Sequence, residues 1–431
     1  MGSADHPFIN ACRRCGFYEE EPTLDFVVPM EIVAWQQFWI VVFPIFAIVK
    51  SVLYKTGPEH LTTLHKLLLY TVHFLNACFE GIHPATDPYS QPWPANSPDA
   101  VLAGQRMCGG LRFVVWHIVS DMECLSNDCG WLHFNSLHPC IFDSVSTEQG
   151  SDYPMTDLSR DANWLDTLLS DDELIHISPT NSPLQFLHGL TRFHTPGELM
   201  HAGCLGTVQF LIGSIFSELI LFGPFVGDKA ARTAQLWSVI QRHYDAMSTP
   251  SRLSKLEPAQ FLKEGWANFS AKAMDSQQLL FVLEPVLAEL NNGSDRMLHQ
   301  IFAVHHLASM YRIFKAHGMF LPEAASSEAF SHCQEFLEEY SWLLHDALDR
   351  GLQFYPPHVK VHAMYHIAFF SRYFNPRFGW AYEGEDFMNT IVTSGKACVA
   401  GTPMQLIGNK VMENFRLTLH LLLSRQCQDE A

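Results

Sequence analysis

The residues able to do chemistry fall into a few groups, and the densest is His194, Glu198 and His201 in HTPGELMH. Two imidazoles and a carboxylate can satisfy a zinc ion, and with a water they would make a hydrolase. The spacing speaks against it. Metal-binding helices place their ligands three or four residues apart on one face, and His194 precedes Thr195-Pro196, outside the helix that holds the other two. The same residues read better as a helix start. Thr195 suits the N-cap, Pro196 the first helical position, and Glu198 completes a capping box three residues after the cap. Met200, Cys204, Val208, Leu211, Ile215, Leu219 and Phe222 then recur at steps of four and three as one buried stripe. Gly203, Gly206 and Gly213 leave room for another backbone to approach.

Four further sets remain. Cys12 and Cys15 form a lone Cys-x-x-Cys, half of a zinc site without a second pair in the chain. His362 and His366, four apart, share a helix face; they are either a metal pair or two partly buried histidines. Asp121 ends the run LRFVVWHIVS (111–120). A carboxylate there suits either a metal-dependent phosphoryl-transfer site or the cap of the next helix. Glu383, Glu385 and Asp386 cluster in YEGEDFM, as first-turn acids favoured by a helix dipole or as the source of one metal ligand.

The elements that must position these groups are mostly helices. EHLTTLHKLLLYTVHFLNACF carries apolar residues at 61, 64, 68, 72 and 75, a helical period. Five prolines between Pro84 and Pro98 force an extended loop. Residues 111–120, β-branched and aromatic after Gly109-Gly110, make the strongest strand candidate. Residues 196–355 read as helices broken at Gly223-Pro224, Thr249-Pro250, Asn292-Gly293 and Pro322, and VKVHAMYHIAFFSRYF reads as another helix after Pro356-Pro357. From Asp143 to Glu173 nine acidic residues face one basic residue, Arg160, the pattern of a solvated surface segment.

Of the 431 residues, 48% are hydrophobic and 17% charged, which describes a globular chain. The net charge of −18 disfavours sequence-independent DNA binding by the surface as a whole. Eleven scattered cysteines, and N-terminal residues without the order of a secretory signal, point to an intracellular, reduced protein. Phe38 to Val49 is too short to cross a bilayer, and Val208 to Val226 carries Glu218 and two glycines, so a buried helix is expected for each and no membrane partner.

Three stretches in this order, LRFVVWHIVSDMECLSNDCGWLHFNSLHPCIFD, GELMHAGCLGTVQFLIGS and KVHAMYHIAFFSRYFNPRFGWAYEGEDFM, carry a family resemblance. Together they resemble the transposase core of the Kyakuja–Dileera–Zisupton and CACTA-like eukaryotic DNA transposons, and most closely the transposase-like proteins of dinoflagellate genomes. The resemblance covers roughly residues 40–420. It implies an α/β fold, an RNase-H-like core interrupted by a long all-helical insertion, and a nuclear location. It also implies an Asp-Asp-Glu triad on Mg²⁺, with Asp121 as second acid, Glu385 as third and Asp25 as the candidate first, and DNA as partner. Cys140 matches the first cysteine of the family's Cys-x-x-Cys, and Glu198, His201, His362 and His366 match its landmark positions.

The departures are specific. Asp143 stands where the second cysteine is expected, which implies a lost zinc site. Ser120 replaces a glycine, and Glu198 an aspartate. The expected organisation is an N-terminal polar and helical region (1–95), the strand-rich part of the core (96–145), an acidic linker and helical insertion (146–355) and the C-terminal part of the core (356–431). The expected function is that of a transposase-like protein, a truncated or decayed strand transferase. The alternatives are a catalytically silent helical binding or scaffold protein and a zinc hydrolase on His194, Glu198 and His201.

Overall fold

The computed structural model describes residues 63–429 apart from 116, 128, 178–181 and 196. Cys12, Cys15, Asp25 and the apolar stretch at 38–49 lie outside the described residues. Contacts divide the chain into two units: Met1–Trp116 with Ser182–Thr191 and Tyr382–Ala431, and His117–Asn181 with Arg192–Ala381.

The first unit opens its described part with α1 (Thr63–Glu80), which buries Leu68, Val72 and Ala77 on one face, at the period read from the sequence. The side chain of Asn76 fastens α1 to the 182–191 segment: its Nδ2 donates to the Phe186 carbonyl and its Oδ1 accepts from the His188 amide. The proline-rich loop that follows is not extended as expected but turns back on itself: isolated bridges join Ile82 with Arg106 and Thr86 with Pro92, and the Trp93 indole donates to the Pro84 carbonyl. It leads into the single turn of α2 (Pro98–Leu102), where Ser97 caps the Ala100 amide.

The second unit begins with α3 (Met122–Asn127) and α4 (Asp171–Ile177), short turns on either side of a long irregular segment. Its centre is a continuous rod, π-helical over Met200–Thr207 and α-helical over α5 (Val208–Phe222). The rod is buried on nearly every side, and among the described residues it is the one helix long and apolar enough to cross a membrane. Around it lie α6 (Lys229–Ala246), α7 (Ala273–Leu290), α8 (Asp295–Ala316), α9 (Glu323–Asp349) and α10 (Val359–Phe370). The proline and glycine breaks read from the sequence fall between these helices. Close approach explains two of the rod's glycines: a Cβ on Gly213 would lie 2.7 Å from the backbone of Asn268 and Phe269, and one on Gly203 would overlap the Tyr311 hydroxyl. The remaining helices of the first unit are α11 (Tyr382–Cys398) and α12 (Met404–Asp429).

Two further sequence expectations need correction. The described residues contain no strand and no sheet, only isolated bridges, so the α/β, RNase-H-like core is not the fold; the described chain is helical. The candidate strand at 111–120 is irregular where described. Its amides go singly to other elements, Phe113 to the Cys78 carbonyl and Ile118 to the His194 carbonyl. Leu111, Phe113, Val114 and Val119 are exposed. β-Propensity measures fit to a pleated, half-buried surface, and no neighbouring strand here supplies that surface.

The start of the rod is also built differently. Thr195 does not cap it: its hydroxyl donates to the Arg192 carbonyl, and the π-helical segment begins at Met200. The capping oxygens come from Glu198, which accepts from the amides of Met200 and His201. The stripe is buried from Met200 to Leu219, but Phe222 at its end is exposed.

Candidate metal centre

A carboxylate, a thiol and two imidazoles meet inside the second unit. α10 carries His362 and His366 on its inward face, one turn apart, so both rings point the same way. His358 caps that helix by accepting the Lys360 amide on Nδ1. The other two groups come from the irregular segment between α3 and α4. Phe142, Val145, Met155, Ala162 and Trp164 from this segment pack into one apolar cluster with Val359 of α10. Cys140 and Asp143 lie within the same packed stretch and face the histidines.

The ligand atoms converge. Asp143 Oδ2 is 2.9 Å from the Nε2 of both His362 and His366, the two Nε2 atoms are 3.2 Å apart, and Cys140 Sγ is 3.5 Å from His366 Nε2. All four atoms lie within 4.8 Å of one another, and all four residues are buried. A zinc ion with bonds of about 2.0–2.3 Å holds tetrahedral neighbours roughly 3.3–3.7 Å apart. The Cys140–His366 separation falls in this range and the His–His separation is close to it, while the two Asp143–His contacts are shorter, as hydrogen bonds are.

The chain holds each group in place before any ion binds. Cys140 Sγ accepts the Phe142 amide at 3.3 Å, and Asp143 Oδ1 accepts the Val145 amide at 3.0 Å, which leaves Oδ2 to the histidines. Trp164 packs edge-on against the His362 ring, and Phe142 packs at a tilt of 33° against the His366 ring. The His362 Nδ1 is buried without a hydrogen-bond partner.

The electrostatics suit a cation. Burial alone would raise the Asp143 carboxyl, but the adjacent histidines, His362 foremost, hold it well below the usual carboxylate range. Burial pushes the Cys140 thiol up, with the Asp143 charge adding to it, and burial lowers His366 against the pull of Asp143. Two neutral imidazoles, a carboxylate and a thiolate sum to two negative charges, which a divalent ion neutralises among four buried residues.

The sequence placed Cys140 and the His362/His366 pair among metal candidates but read Asp143 as the loss of the site. Asp143 nevertheless belongs to the group that could hold an ion, with its Oδ2 against both histidines. The remaining candidates go elsewhere. Asp121 belongs to the second unit and caps α3, accepting the Cys124 amide at 2.7 Å. Glu385 lies on α11 of the first unit, and its side chain is not among those described. Glu198 is enclosed by four donors, the amides of Met200, His201 and Ala381 and the His201 ring, so neither oxygen is left over. His194 sits in a buried 3-10 turn (Arg192–His194). Among the described residues, His194, Glu198 and His201 do not gather into a metal-sized group; the Cys140 group is the one that does. No family model matches the chain, and no curated protein or solved structure matches it either.

Proposed function

We propose that this chain is a catalytically silent helical binding or scaffold protein whose second unit is locked by one divalent ion of zinc type on Cys140, Asp143, His362 and His366. The observation that carries the reading is the convergence of four buried ligand atoms within 4.8 Å. One sulfur, two imidazole nitrogens and one carboxylate oxygen are a set that suits zinc better than the all-oxygen shells of magnesium or calcium. The site takes its four ligands from two elements far apart in sequence, as structural zinc sites do, and so joins an irregular segment to a helix.

Two facts favour silence over strand transfer. Asp121 already serves as a helix cap, and the described residues contain no sheet on which an acid triad could be arranged. The net charge of −18 points the same way.

The test is metal content together with DNA cleavage. Purified full-length protein carries close to one zinc per chain, His362→Ala loses it, and neither cleaves DNA in magnesium. A chain that is folded and equally stable without any metal would remove the first half of the reading. Magnesium-dependent nicking abolished by Asp121→Ala would remove the second.

A further inference from the structure

An apolar pocket lies against the metal-ligand group, and three of the four ligands form part of its wall: Cys140, His362 and His366. Asp143, the fourth, is not in that wall. The rest is lined by side chains including Leu125, Leu132, Phe134, Ile141, Val359 and Ala363. The pocket therefore borders the group on the side of those three residues. A ligand entering there would approach a bound cation from that side, as the fifth ligand to which a four-coordinate zinc-type ion can expand.

We infer that this site is open to a fifth ligand, and that the ligand is a small apolar molecule presenting one neutral donor atom, an imidazole-type nitrogen or an alcohol or carbonyl oxygen. The inference rests on the metal reading above. Charge selects the neutral donor. Thiolate, carboxylate and a divalent cation sum to zero, and the pocket side chains carry no charge: apart from the ligands they are apolar, with the neutral Met122 thioether and Thr195, whose hydroxyl donates to the Arg192 carbonyl. An anion entering this pocket would bring an uncompensated charge into an apolar space. A neutral donor brings none and buries its apolar body against Leu125, Leu132 and Val359.

Cobalt(II) in place of zinc reads both steps separately. Full-length protein loaded with cobalt develops the intense visible bands of a four-coordinate ion and a sulfur-to-cobalt charge-transfer band. Imidazole at millimolar concentration then weakens and shifts the visible bands as the ion becomes five-coordinate, while azide at equal concentration leaves them unchanged. Ala363→Leu or Leu132→Phe, which fill the pocket, keep the cobalt bands and abolish the response to imidazole. If the cobalt bands form and imidazole does not move them, the open face is wrong and the metal site stands; if azide moves them more than imidazole does, the selection of a neutral donor is wrong. If the response survives in both pocket-filling variants, the ligand does not enter through this pocket and the inference falls. If no cobalt bands appear, the metal reading itself has failed.

Discussion

Asp143 lies at the head of a run of acids whose later members, among them Glu148, Asp152 and Asp161, are exposed while it is almost wholly buried. What separates it from them is its pair of partners: Val145 takes one oxygen and the two histidines the other. Asp143→Ala leaves two buried imidazoles and a thiol around a gap. Such a variant should lose the metal and, by the cost of breaking a buried charged group, about 3 kcal/mol or more of stability. Asp143→Cys restores a thiolate at the same corner and should keep both the metal and a stability within about 1 kcal/mol of the parent. Urea unfolding combined with metal analysis checks the pair; an Asp143→Cys protein without metal would show that the carboxylate is needed for more than its ligand atom.

Histidines outside the centre set a pH dependence. Burial lowers His117 to about 4, with His194 adding to it, and lowers His358 to about 4, with Lys360 adding to it. Each has a folded pKa below its unfolded value of about 6.5, so the unfolded state takes up a proton first as pH falls. Their contribution is complete above about pH 6.5 and is lost progressively down to about pH 4, on the order of 3 kcal/mol each. His358 also has to stay neutral to accept the Lys360 amide as the cap of α10. His358→Asn keeps a capping acceptor that does not titrate, so unfolding measured between pH 7 and 4.5 should lose the His358 share of the acid sensitivity in this variant and keep that of His117. An unchanged slope would mean that His358 does not titrate in this range.

At the scale of elements, the central rod is fixed by backbone contact as much as by apolar burial. Because a Cβ at Gly213 would meet the backbone of Asn268 and Phe269 at 2.7 Å, Gly213→Ala cannot be absorbed by a side-chain rotation. It should cost about 1–3 kcal/mol in urea unfolding, the range for overpacking, whereas Gly318→Ala, with nothing within 4 Å, should be near neutral. Equal effects at the two positions would rule out the close approach as the cause.

The elements also mark how far the sequence could be read. Helical periods and proline or glycine breaks located α1 and the series from α5 to α10, because these signals are local. The stretch at 111–120 misled, since its residues favour strands only where a partner strand exists, and partnership is not a local property. The capping role fell to Glu198 and not to Thr195, because a π-helical turn delays the start of the rod to Met200. The metal centre was half legible: the spacing of His362 and His366 is local, but their meeting with Cys140 and Asp143 spans 219 and more positions and depends on how the irregular segment folds back. A rule admitting Cys-x-x-Asp beside Cys-x-x-Cys would have kept the fourth ligand in view.

At the scale of the molecule, the second unit joins two kinds of structure that are stabilised differently. The helices around the rod bury their own apolar faces and a polar network in which Glu218 accepts from Arg350 and from Gln300. The segment from residue 129 to 170 has little regular structure of its own, and segments of that length need external ties. Its ties are the apolar cluster around Trp164, the surface pairs of Arg160 with Glu335 and Glu338, and the ligands Cys140 and Asp143. Surface pairs contribute little, so the apolar cluster, together with an ion if the proposed site holds one, carries most of the load. Removing the metal with a chelator should therefore act regionally: amide exchange should accelerate over 129–170 and the first turns of α10, while α5, α8 and α9 stay protected. Limited proteolysis should cut the apo protein first within 129–170 and spare the helical body, and restoring zinc should reverse both effects. Uniform acceleration across α5, α8 and α9 would instead mean that the ion supports the entire unit, and no change anywhere would mean that the Trp164 cluster alone holds the segment.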